Sequence, residues 1–225
     1  MLKCVLFDFN GVLVDDERIH MELFQRILAE HGIVLTEEDY FGKYFGFSDR
    51  DLFDVVLEAG SPRIDVNELI ARKAEMYMAR VSSRSIAFPG ARACVQGFSD
   101  AYLLGVVSGA LRSEIEWILE NEGMLRHFCL ILGAEDVERG KPDPEGFEKA
   151  LEGINGLADA ALLPVLASEC LVIEDSPGGV HAARSLGMRC AGVTGSVGRE
   201  ELGEAEIVVD RIEEITPARA LPLFE

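Results

Sequence analysis

The sequence predicts a doubly wound α/β fold, a Rossmann-like parallel sheet core with an all-helical domain inserted after its first strand. Three features point there. Short unbroken apolar runs recur along the chain, amphipathic segments separate them, and one long stretch near the amino terminus has helical spacing with no strand in it. The first run, LKCVLFDF (2–9), has the continuous hydrophobicity of a strand covered on both faces. Residues 15–87 then break the rhythm. Their segments at 16–32, 36–46, 49–60 and 66–81 all read as helices, so a separate helical domain is expected there. Its expected place is over the carboxyl ends of the strands, where open α/β sheets bind ligands. FPGA (88–91) marks the return to the core, which therefore comprises residues 1–14 and 88–225. In the core, runs at 101–108, 128–135, 169–175, 189–194 and 205–210 supply further strands, and segments 111–124, 144–154 and 177–188 supply helices between them.

Composition narrows the ligand. At 225 residues and 48% hydrophobic content the chain can bury a substantial core. Forty acidic residues against 21 basic give a formal charge of −19, which repels nucleic acid and anionic membrane surfaces. A phosphate-bearing ligand therefore needs a local positive group or a bound cation. The cysteines (Cys4, Cys94, Cys129, Cys170, Cys190) are scattered, form no C-x-x-C pair and are expected to be reduced and buried. MLKCVLFDFNG offers no apolar stretch long enough for a signal peptide, and no run approaches the roughly 18 apolar residues of a membrane span. A soluble, cytoplasmic protein is expected.

Four strand ends carry chemistry. Asp8 follows VLF, Ser108 and Gly109 follow LLGVV, Lys141 lies in ERGKPDPEGF, and Glu174 and Asp175 follow CLVI. Parallel strands bring such ends to one crevice, where an acid, a hydroxyl, an amine and an acidic pair suit the handling of a phosphoryl group. A carboxylate attacking phosphorus approaches an anion with an anion, so positive charge must lie nearby. Mg²⁺ held by carboxylates supplies it, with Asp8 and Asp175 as the natural ligands. Lys141 neutralises the transferring group and restrains Asp8, while the Ser108 hydroxyl and the Gly109 N–H donate to phosphoryl oxygens. Each residue alone also has a structural reading as a turn former, a helix cap or a surface lysine. Their order along the chain favours the joint reading.

These motifs resemble the haloacid dehalogenase superfamily, in the subgroup with a helical cap after the first strand. DFNGVLVD (8–15), Ser108 in VVSGA, Lys141 in GKPDPE and IEDSPGG (173–179) correspond to the family's four motifs. The resemblance implies Mg²⁺, an aspartyl-phosphate on Asp8 and hydrolysis of a small phosphate monoester. It also implies metal ligation by Asp8, the backbone carbonyl of Asn10 and Asp175, with Glu174 contributing directly or through water.

Asn10 departs from the pattern. Phosphatases of the family carry aspartate there, to protonate the leaving oxygen and then activate the attacking water. An amide does neither. Slow turnover is therefore expected of the chain as written, whether Asn10 is natural or introduced; slow deamidation beside the unhindered Gly11 would restore an acid there and raise activity with age. The carbonyl at position 10 is unchanged, so metal binding is expected to persist. Dehalogenating relatives also lack aspartate at that position, but they lack the Glu174–Asp175 pair as well. Phosphonate cleavage would need a Schiff-base amine, for which Lys43 and Lys73 are the candidates. A sugar phosphomutase similar to β-phosphoglucomutase is the nearest rival reading, and a phosphate-binding protein without turnover is another. In the insertion, His20, Gly46, Arg50 and Lys73 are candidate substrate contacts; Arg50 and Lys73 can equally pair with the insertion's own carboxylates. Since a capped domain needs no partner to complete this site, a monomer acting on a small phosphorylated metabolite is expected.

Overall fold

The computed structural model describes residues 1–58, 64–157 and 164–225. The chain divides into two compact units, Met1–Asp15 with Ala87–Glu225, and Asp16–Ile86. The first is built on six parallel strands, β1 (Cys4–Phe7), β2 (Leu103–Val107), β3 (Leu130–Leu132), β4 (Cys170–Glu174), β5 (Arg189–Val193) and β6 (Ile207–Val209). Their order in the sheet is β3-β2-β1-β4-β5-β6. That order reverses direction between β1 and β4, and open α/β sheets bind ligands beyond the strand ends at such a switch point.

Burial explains why the strand runs are unbroken. Side chains alternate between sheet faces, and Cys4 and Leu6 of β1 pack with Phe147, Ile154, Val180 and Ala183. Those partners come from the helices Glu145–Gly156 and Pro177–Ser185. Val5 and Phe7 face the other way and are equally buried. Both faces are therefore covered, and no polar residue is tolerated at either parity. Where the chain leaves the sheet for the insertion and returns, Val14 bridges antiparallel to Ala87 and the Phe88 N–H donates to the Leu13 carbonyl at 3.0 Å.

Among the described residues the regular elements of the second unit are all helical, chief among them Glu17–Glu30, Asp49–Glu58 and Val66–Val81. The last two positions of the helix expected over 49–60 lie outside the described residues. Phe24, Ile27, Leu28, Leu52, Phe53 and Leu69 form its interior. Residues 36–46, expected as one helix, form a short α-turn at Glu37–Asp39 that runs into a π-turn at Tyr40–Tyr44. The wider turn keeps the Tyr40 ring against Phe24 while its hydroxyl donates to Glu17 Oε1 at 2.6 Å. Gly46 follows in the left-handed region at φ +82°, and the chain turns there before the next helix.

Candidate active site

Asp8 is the first residue beyond β1, and its N–H still donates to the Ile173 carbonyl of β4 at 2.9 Å, which fixes the backbone at the strand end. Lys141 joins three strand ends. Its Nζ donates to Asp8 Oδ1 at 2.7 Å and to the Val107 carbonyl at 2.9 Å, and it pairs with Glu174 Oε1 at 2.5 Å. Burial favours the neutral amine, but Asp8 and Glu174 outweigh it and hold Lys141 protonated above the ordinary lysine range.

Glu174 is fully buried, and the residues immediately after it in the chain fix its geometry. Its Oε2 accepts from the N–H groups of Asp175 and Ser176, each at 3.0 Å, and from the Ser176 hydroxyl at 2.9 Å. The same hydroxyl accepts from the Gly179 N–H at 3.1 Å and so caps the helix Pro177–Ser185. The sequence SPGG is thus both a helix start and the clamp on Glu174. Gly179 has to lack a side chain, because a Cβ there would stand 1.9 Å from Glu174 Oε1.

Asp175 completes a cluster with Asp8 and Glu174, in which ligand oxygens lie within 4.8 Å of one another. Its Oδ2 accepts from Ser196 Oγ at 2.5 Å. Gly11, at φ +76°, gives it room, since a Cβ at Gly11 would fall 1.9 Å from Asp175 Oδ2. Burial first, and then repulsion among the carboxylates, pushes Asp8 up to about 7 against the pull of Lys141, and pushes Asp175 well above the usual range. Three crowded acids with one ammonium among them make a site short of positive charge.

Ser108 follows β2. Its Oγ accepts from the Ala110 N–H at 3.1 Å and lies 3.4 Å from Asn10 Oδ1. Gly109 beside it is exposed, and no described residue stands where a side chain on it would be. Asp8, Asn10, Ser108, Lys141, Glu174 and Asp175 are therefore brought to the strand ends of the first unit. Ser196, on the loop after β5, belongs with them and carries no motif by which the sequence would have singled it out.

The four candidates in the insertion lie in the second unit, in two different settings. Lys73 is buried, pairs with Asp49 Oδ1 at 2.5 Å, meets His20 Nδ1 at 2.7 Å and stands over the Phe24 ring. His20 Nε2 lies 3.2 Å from Asp16 Oδ2, which also accepts from the Tyr77 hydroxyl. Burial and Lys73 act to lower the pKa of the His20 imidazole, but Asp16 and Asp49 outweigh them and hold it above its ordinary range. Gly46 and Arg50 are exposed, and Arg50 Nη2 donates to Asn67 Oδ1 at 2.6 Å.

Comparison with known proteins agrees with this chemistry. Residues 5–193 match the family model described as haloacid dehalogenase-like hydrolase. The chain is 29% identical over 218 residues, 96% of both chains, to validoxylamine A 7'-phosphate phosphatase of Streptomyces hygroscopicus subsp. limoneus. It is 27% identical over 223 residues to the β-phosphoglucomutase of Bacillus subtilis, covering 96% of this chain and 92% of the relative. The crystal structure of β-phosphoglucomutase from Clostridium difficile superposes with a TM-score of 0.85 at 22% identity, over 100% of this chain and 97% of that one, and shares its fold. The chain belongs to the haloacid dehalogenase-like hydrolases and is an enzyme of their phosphatase type.

Proposed function

We propose that the chain transfers a phosphoryl group from a small phosphate monoester to Asp8 and then to water, with Mg²⁺ in the acidic cluster, and that Asn10 slows both steps. The observation that carries this reading is the Lys141 ammonium held between Asp8 and Glu174, with Asp175 alongside. It presents a restrained carboxylate where an anion is to be attacked.

The residues fit a hard divalent cation. Three buried carboxylates share one ammonium, and burial with mutual repulsion raises Asp8 and Asp175, so a cation would relieve the same excess negative charge. Asp8, Asp175 and the Asn10 carbonyl would hold it, with Glu174 adding to the negative field and anchoring Lys141. When bound, Mg²⁺ neutralises phosphoryl charge in the transition state. Asp8 forms the new O–P bond as the ester O–P bond breaks, and the electron pair leaves with the alkoxide. Ser108 and the Gly109 N–H donate to the phosphoryl oxygens and Lys141 balances their charge. The departing alkoxide needs a proton and the later water must lose one. Asn10 supplies and accepts neither.

The first unit is the catalytic domain and the second a helical cap domain. His20, Gly46, Arg50 and Lys73 are the cap's candidate substrate contacts. The full-length likeness to β-phosphoglucomutase favours, as a second reading, a sugar hydroxyl rather than water as the acceptor. Phosphate release from a panel of small esters, with Mg²⁺ and with chelator, tests the proposal in the chain as given and in Asn10→Asp. An increase of about 10²- to 10⁴-fold in Asn10→Asp, abolished by chelator, is the expected result. Equal rates in both proteins would show that position 10 takes no part.

A further inference from the structure

A serine outside every motif holds one member of the acidic cluster. We infer that Ser196 is a positioning residue for divalent cation binding, its hydroxyl fixing the Asp175 carboxylate in the orientation the cation requires; this rests on the metal reading above. The contact itself is direct, Ser196 Oγ to Asp175 Oδ2 at 2.5 Å.

The loop carrying Ser196 is anchored on two sides. Thr194 donates its N–H to the Val209 carbonyl of β6 at 2.9 Å, and its hydroxyl donates to Asp210 Oδ1 at 3.1 Å. On the other side Gly195 lies so near the first strand-end loop that a Cβ on it would stand 3.0 Å from the Gly11 carbonyl. Register brings the two strands together upstream, with Glu174 of β4 opposite Gly192 of β5. The hydroxyl therefore reaches Asp175 from a pinned backbone and not from a swinging surface loop.

Asp175 is enclosed on that flank. Gly11 offers it no side chain, and the room beside Oδ2 exists because position 11 is glycine. A carboxylate in such a slot has two oxygens and one plane, and a hydroxyl bonded to one oxygen sets that plane. Groups that orient metal-ligating carboxylates in this way typically account for about 10- to 100-fold in metal affinity. Lys141, shared with Glu174, and Ser176 serve Asp8 and Glu174 in the same manner, so each of the three acids is held by at least one fixed partner.

Calorimetric titration of the full chain with Mg²⁺, repeated on Ser196→Ala and Ser196→Thr, tests the inference without depending on turnover. Melting temperatures of all three proteins in chelator accompany it. Ser196→Ala is expected to bind Mg²⁺ about 10- to 100-fold more weakly with its chelator melting temperature unchanged, and Ser196→Thr, which keeps the hydroxyl, to bind within about threefold of the parent. Equal affinity in parent and Ser196→Ala, equal losses in both variants, or a loss matched by a fall in the chelator melting temperature would overturn it. Failure of the parent to bind Mg²⁺ at all would instead overturn the metal reading, and this inference with it.

Discussion

The glycines around the acidic cluster are as specific as the acids. Gly179 and Gly11 stand where a single methyl group would enter the carboxylates of Glu174 and Asp175. Gly156, by contrast, ends the helix Glu145–Gly156, and no described residue lies within contact of a Cβ placed there. Opposite outcomes are therefore expected from the same chemical change. Gly179→Ala forces Glu174 from its three donors and from Lys141, and is expected to destabilise the protein by about 1–3 kcal/mol or more in urea unfolding. Gly156→Ala is expected to be neutral or stabilising, by up to about 1 kcal/mol, since alanine loses less freedom than glycine in a helix. A Gly179→Ala protein as stable as the parent would show that Glu174 is not held as described.

At the scale of elements, the loop that delivers Lys141 is made rigid by the helix after it. Glu145, the first residue of that helix, accepts from the Glu138 N–H at 2.9 Å and the Arg139 N–H at 3.0 Å, and its own N–H donates to Asp143 Oδ1 at 3.0 Å. Lys149 bonds to Glu145 at 2.6 Å and, with the two loop N–H groups, holds its carboxyl down at about 2. A carboxyl lowered on folding contributes stability that is complete above its unfolded value, near 4.5, and is lost as pH falls through its folded value. Exchange protection of the Glu138 and Arg139 amides, followed by NMR, should accordingly hold down to about pH 4.5 and fall away towards pH 2. In Glu145→Gln, whose side chain has no charge to lose, that pH-dependent step should be absent and protection at neutral pH lower.

Elements also determine what could be read in advance. Asp8, Ser108, Glu174 and Asp175 were legible because each ends an apolar run, and parallel strands bring such ends together whatever the register. Lys141 was legible from its place in GKPDPE, and so was its hold on Asp8; its contacts with Glu174 and the Val107 carbonyl were not. Ser196 was not legible, because its role depends on β5 lying beside β4 and on the loop between β5 and β6 bending back to Gly11, neither of which local sequence encodes. The π-turn at Tyr40–Tyr44 escaped because helical spacing over so few residues does not tell a π-turn from an α-helix. In the insertion, the pairing of Lys73 with Asp49 was one of two open alternatives, and Arg50 bonds to the amide of Asn67 rather than to a carboxylate.

Over the whole molecule, a formal charge of −19 opposes the approach of any phosphate ester, and the groups that offset it are local. Asp8, Ser108, Lys141, Glu174, Asp175 and Ser196 all belong to the first unit, so on the proposed reading phosphoryl transfer to Asp8 rests on residues of that unit. A donor that needs neither cap contacts nor an acid at position 10 should therefore react with the chain as it stands. Acetyl phosphate is such a donor, because acetate leaves without protonation, whereas discharge of the resulting aspartyl-phosphate still lacks its base. The most direct measurement is thus the fraction of Asp8 converted to homoserine by borohydride reduction after incubation with Mg²⁺ and acetyl phosphate, read by peptide mapping. Accumulation on Asp8 in the chain as given, and a lower steady level in Asn10→Asp, is the expected result. Phosphorylation at another residue, or none on Asp8 in either protein while Mg²⁺ and phosphate bind, would contradict transfer through Asp8.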